Sequence, residues 1–288
     1  MTDMTAAVRR DRAVLVIAIA VLTVLAWAYL LHLAAQMSPP EMMPTSADGA
    51  MGGMSMPAPL GAMAGMPMGH DIAAAVEPGF RPWGLTGFAL VFLMWAVMMI
   101  GMMMPSVAPM VLLYAAIGRR TGEGGRTLAA TGWFVTGYLS IWVLFSLAAT
   151  TGQWMLTKLA LLTPMMASTS SVLGGILLIA AGLYQWSPLK RACLRHCQTP
   201  LNFLMRCGGF RPSPLGAVSL GARHGLHCVG CCALLMTLLF VGGVMNLLWI
   251  GGLSILVLLE KVSTKALVTH VIGALMVAGG VFLLVRPR

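Results

Sequence analysis

The chain has 288 residues, of which 59% are hydrophobic and 9% charged, and its formal net charge is +10. A soluble domain carries about a quarter charged residues, so the composition excludes an ordinary soluble enzyme and predicts an integral membrane protein. The basic residues fall in short segments between apolar runs and interleave with no aromatic face, which argues for the lipid bilayer and against nucleic acid as the partner.

Residues 13–35, "AVLVIAIAVLTVLAWAYLLHLAA", predict a first transmembrane helix, preceded by Arg9, Arg10 and Arg12. It reads as an uncleaved anchor rather than a signal peptide, because the run is long and no clear A-x-A site follows. Residues 1–36 therefore form an N-terminal anchor. Residues 37–80 form a Met-, Gly- and Pro-rich linker with almost no branched or aromatic side chains, too few to build a core. The third region, residues 81–288, predicts a six-helix membrane core.

Within that core, residues 85–117 are too long for one straight span. Pro105 and Pro109 are expected to kink or break them. Further helices are predicted near 128–150, 171–187, 223–244, 246–260 and 266–285, with a basic loop over 188–212. The fold class is thus an all-α integral membrane protein of about seven transmembrane helices. With seven spans, Arg9, Arg10, Arg12, Arg119, Arg120, Arg126, Lys190, Arg191, Arg195, Arg206, Arg211, Lys261 and Lys265 share one side. The other side receives Arg81, Lys158, Arg286 and Arg288. The positive-inside rule then puts the N-terminus in the cytoplasm and the Met-rich linker outside.

Six cysteines in so large a membrane protein are not a small disulfide scaffold. The densest cluster is "HGLHCVGCCALL", residues 224–235. At about 100° per residue, His224, His227, Cys228, Cys231 and Cys232 occupy roughly 140° of one helix face. Imidazole and thiolate are ligands of Cu(I) and Zn(II). Packing alone explains one buried cysteine but explains three cysteines and two histidines on one face poorly. Gly225 and Gly230 beside the stripe would let a neighbouring helix approach closely. "CLRHC" repeats the theme, with Cys193 and Cys197 at i and i+4 and His196 beside them.

Methionine is the compositional outlier, at 25 residues. The linker carries Met51, Met54, Met56, Met63, Met66, Met68 and His70 between Gly and Pro spacers. Thioethers do not ionise and suit Cu(I). In the second helix Met98 and Met102 continue a stripe begun by Met94, and Met99 and Met103 form another beside it. Such stripes serve packing or a thioether path equally well. Glu260 and Lys261 close a short helix, either as an interfacial pair or with Glu260 offsetting Arg223.

The segments "MWAVMMIGMMMPSVAPMVLLYA" (94–115), "CLRHC", "GLHCVGCCALLM" (225–236), "GGVMNLLWI" (242–250) and "LLEK" (258–261) together resemble the bacterial domain of unknown function 2182. Its members are described as metal-binding integral membrane proteins and often labelled copper chaperones. The resemblance spans roughly residues 85–285. It implies that Cys193, His196, Cys197, His227, Cys228, Cys231 and Cys232 are the metal-binding positions. The expectation is therefore a multi-pass protein of the bacterial inner membrane that binds Cu(I), with Zn(II) as second candidate metal. It would act in copper transfer, transport or delivery to a copper carrier or copper enzyme. The rival reading is a membrane thiol–disulfide oxidoreductase using Cys228, Cys231 and Cys232.

Overall fold

The computed structural model describes residues 2–37, 84–121, 125–159, 171–263 and 265–285, and among these the regular structure is helical throughout. The chain order is α1 (Thr2–Met37), α2 (Leu85–Arg120), α3 (Thr127–Lys158), α4 (Ser171–Gln185), α5 (Pro188–Gln198), α6 (Pro200–Arg206), α7 (Pro214–Thr237), α8 (Leu239–Gly242), α9 (Leu247–Val262) and α10 (Ala266–Val285). Met51, Met54, Met56, Met63, Met66, Met68 and His70 of the linker lie outside the described residues.

Five of these helical segments are long and apolar enough to cross a membrane: α1, α2, α3, α7 continued through α8, and α10. A sixth arises if α4 and α5, which meet at 66°, count as one broken span. The seven spans expected from the sequence are not reproduced, and the reason is length. α4 has 15 residues and α9 has 16, so at 1.5 Å per residue each is shorter than the ~30 Å hydrocarbon layer.

Two further expectations are corrected. Of the kink or break expected at Pro105 and Pro109, the break does not occur: α2 runs as one helix of 36 residues with both inside it. Neighbouring helices can take over polar groups that an internal proline frees. The carbonyl of Met103, which accepts from Ser106 Oγ and from Tyr138 Oη of α3, lies between those of Gly101 and Pro105, the two that the prolines leave without an intrahelical donor. The basic loop over 188–212 is largely helical. Ser187 caps α5 by accepting from the Lys190 amide, and Ser213 caps α7 by accepting from the Gly216 amide. Each cap is followed by a proline at the first helical position, where its missing N–H costs nothing. α7 accordingly begins at Pro214, so the span expected from 223, with an amphipathic lead-in ahead of it, is one helix with that lead-in.

The helices pack as α1 on α2, α2 on α3, α3 on α7, α5 on α7, and α4 on α10. Glycines set the closest approaches. A Cβ on Gly221 would strike the backbone of Phe134, and one on Gly137 the backbone of Val218. α3 and α7 therefore touch main chain to main chain. Gly175 and Gly182 do the same for α4 against Gly280 and Gly273 of α10. Asp11, buried near the start of α1, pairs with Arg119 at the end of α2. That contact makes the two helices antiparallel and places Arg9, Arg10 and Arg12 at the same end as Arg119 and Arg120, as the charge pattern required.

Candidate metal centre

α5 crosses α7 in an antiparallel sense, so the two sequence motifs interlock. Cys193 rests on Gly230, where an added Cβ would come within 2.8 Å of the Cys193 sulfur. His196 stacks on His227, ring centroids 4.1 Å apart and planes 4° from parallel. The Cys197 side chain comes close enough to Cys228 and Cys231 for the three thiols to interact. "CLRHC" and "HGLHCVGCC" are thus two halves of one cluster. Gly230 leaves room for the Cys193 side chain, which a larger residue there would force to move.

On α7 the three cysteines are each 1% exposed. Cys231 Sγ donates to the Cys228 carbonyl at 3.1 Å and lies 3.2 Å from Cys232 Sγ. All six cysteines are free thiols. The thiols touch each other directly, and among the described residues no three His, Cys, Asp or Glu side chains are set around a common point as a ready metal cage.

Cys228 is the hub. Lys261 Nζ, from the end of α9, donates to Cys228 Sγ at 2.9 Å. Tyr138 Oη, from α3, lies 3.1 Å from the same sulfur. Lys261 also donates to Ser106 Oγ at 2.8 Å and approaches Met103 Sδ at 3.9 Å, both on α2. An ammonium buried among sulfurs and hydroxyls is costly in an apolar setting and usually marks function. Met103 is therefore the one member of the α2 stripes that reaches the cluster among the described contacts. Met98, Met99 and Met102 are buried in the apolar core with Trp95 and Trp142.

The imidazoles form a separate layer. Phe203 of α6 stands edge-on to His196 and His227 and packs 5.2 Å from His224. His196 Nδ1 lies 2.8 Å from the Ala192 carbonyl; an Nδ1–H there leaves Nε2 as the free lone pair. His224, 3% exposed, sits among Phe134, Tyr138 and Phe203, and its Nδ1 has no hydrogen-bond partner.

Neither reading of Glu260 and Lys261 holds. Glu260 pairs with Lys190 of α5 at 2.7 Å, both side chains at most 2% exposed. Gln185 Nε2 donates to Glu260 Oε1 at 2.8 Å. Gln198 Nε2 donates to the carbonyls of Glu260 and Ser263. This network holds the end of α9 against α5 and the α4–α5 bend, and so fixes where Lys261 points. Arg223 is exposed and takes no part.

A family model described as a copper chaperone, PpoB2, matches residues 92–283. The chain belongs to this copper-chaperone family. No curated protein and no solved structure matches it. The match bears out the resemblance carried by the motifs and ties the chain to a copper-related role. It begins within α2 and ends within α10, so it contains every residue of the thiol cluster, the imidazole layer and Lys261. α1 and the Met-rich linker lie outside it. In this family member Tyr138 and Ser106 carried no signal in the sequence as single polar residues, and Lys190 and Lys261 read only as charges near helix ends, without the partners the structure gives them.

Proposed function

We propose that this copper-chaperone family member carries Cu(I) as cargo at the thiols gathered around Cys228. The observation that carries the reading is the meeting of Cys197 on α5 with Cys228 and Cys231 on α7. Soft thiolates select Cu(I), and a d10 monovalent ion accepts as few as two of them. Two thiols on separate helices can therefore hold the ion and release it by a small separation of α5 from α7. The half-buried imidazoles of His196 and His227 supply exchange ligands beside the buried sulfurs. The Met-rich linker, with Met51, Met54, Met56, Met63, Met66, Met68 and His70, would capture copper first. The α2 methionines would line the approach to Met103.

In this reading the protein sits in the bacterial inner membrane with its basic helix ends in the cytoplasm, and exchanges copper with a carrier or a copper enzyme. A reporter active only outside the cytoplasm should be silent when fused at Gly122; activity there would invert the orientation.

The two cysteines of α5 provide the test of the site. Cys197→Ser should weaken Cu(I) binding at least tenfold, the lower end of the loss seen for changes one shell out from a metal. Cys193→Ser should change it little, because Cys193 faces Gly230 and not the thiols. The measurement is competition with a Cu(I) chelator on purified full-length protein under reductant. Equal losses for the two variants would sink the assignment.

A further inference from the structure

Two lysines are buried at the end of α9 and its surroundings, and they differ in one respect. Lys190 has a carboxylate, Glu260. Lys261 is held by Cys228 Sγ, Ser106 Oγ and Met103 Sδ. The buried carboxylates among the described residues, Asp11 and Glu260, are both committed elsewhere. No carboxylate among the described residues draws Lys261 away from the thiol cluster, and its Nζ lies 2.9 Å from the sulfur at the hub.

We propose that Lys261 is a specificity-determining residue that makes the site select a monovalent over a divalent metal. The inference rests on the thiol cluster being the copper site. Net charge in an apolar interior is heavily penalised. Two thiolates, one monovalent ion and one ammonium sum to neutrality. The same thiolates and ammonium with a divalent ion leave one positive charge uncompensated. Zn(II) sheds that charge only by drawing in a third thiolate, and it still needs a fourth ligand to complete its tetrahedral shell, whereas Cu(I) is neutral with two thiolates. Lys261 thus favours Cu(I) through charge, where sulfur chemistry alone would accept both ions. The Lys190–Glu260 pair is neutral as a unit and does not disturb the count. Its part is to hold α9 so that the ammonium reaches Cys228.

The test compares Cu(I) and Zn(II) affinities of the purified full-length protein, each ion buffered by a competing chelator. Lys261→Met removes the charge at similar length. Lys261→Gln removes it while keeping a donor for Ser106. Lys261→Arg keeps it. In both neutral variants Cu(I) should bind about tenfold more weakly and Zn(II) about tenfold more tightly, the scale of one charge-assisted hydrogen bond. The arginine variant should keep the native preference for Cu(I). An unchanged Cu(I)-to-Zn(II) ratio in the Met and Gln variants, or a parallel fall for both metals in both, overturns the proposal. If native protein binds Cu(I) and Cys197→Ser weakens it, but the ratio ignores Lys261, this inference fails alone. If native protein binds no Cu(I), the proposed function itself has failed.

Discussion

Cys228→Ser is expected to weaken Cu(I) binding by about a hundredfold or more while leaving the protein folded. The sulfur of Cys228 is where Lys261, Tyr138 and the other thiols converge. A serine hydroxyl has nearly the same shape and can still meet Lys261 and Tyr138, so α3, α7 and α9 still pack there, with some stability lost because a neutral hydroxyl does not offset a buried ammonium. What is lost is the soft ligand, because an uncharged hydroxyl has little affinity for Cu(I). Changes one shell out from a metal cost 10- to 100-fold, so removal of a direct ligand should reach or exceed the upper end. Chelator competition and thermal unfolding in detergent, measured on the same sample, separate the two effects. Native affinity in the serine variant would remove Cys228 from the site. A lost fold would instead make it a packing residue.

The second large effect concerns stability. Glu260→Gln should lower the stability of the protein by about 3–5 kcal/mol, since it leaves the Lys190 ammonium buried without its counter-charge. Lys190→Met should cost a similar amount by stranding the carboxylate. Combining Lys190→Met with Glu260→Leu removes both charges and should recover most of the loss, as apolar replacement of a whole buried pair is commonly tolerated. Gln185 would lose its Glu260 partner in the double variant, so recovery should be incomplete. Unfolding in detergent with increasing denaturant reads all three. Single variants as stable as the native chain would mean that α9 is not anchored through this pair. The pair also orients Lys261, so the single variants should lose Cu(I) preference along with stability.

Much of the architecture was legible because apolar runs report bilayer crossings directly. α1, α2, α3 and α10 fall where the hydropathy put them. The misreadings share a cause: a residue type stood for two things. Basic residues in 188–212 looked like a loop. Lys190 is in fact buried in an ion pair, while Arg191 and Arg195 stay on the exposed side of α5. The helix starts were written there all the same, in Ser187-Pro188, Thr199-Pro200 and Ser213-Pro214, each a capping residue followed by a proline suited to the first turn. Pro105 and Pro109 signalled a kink or break because proline costs a hydrogen bond in an isolated helix, yet α2, packed between α1 and α3, continues through both. The two Cys/His motifs were each visible. Their union was not, because it depends on the antiparallel crossing of α5 and α7 at Gly230. Lys261 was the least legible of all. A cation near a helix end looks like a topology signal, and it is the anchoring of α9 through Glu260 that brings it to Cys228.

The central claim is that Cu(I) is held by thiol sulfur contributed from both α5 and α7. X-ray absorption at the copper edge, on full-length protein loaded with one equivalent of Cu(I) under reductant, addresses it most directly. The account predicts a low-coordinate ion with a shell dominated by sulfur, and loss of that signature in the Cys197→Ser, Cys228→Ser double variant. A shell dominated by nitrogen or oxygen, or an unchanged sulfur shell in the double variant, would contradict it.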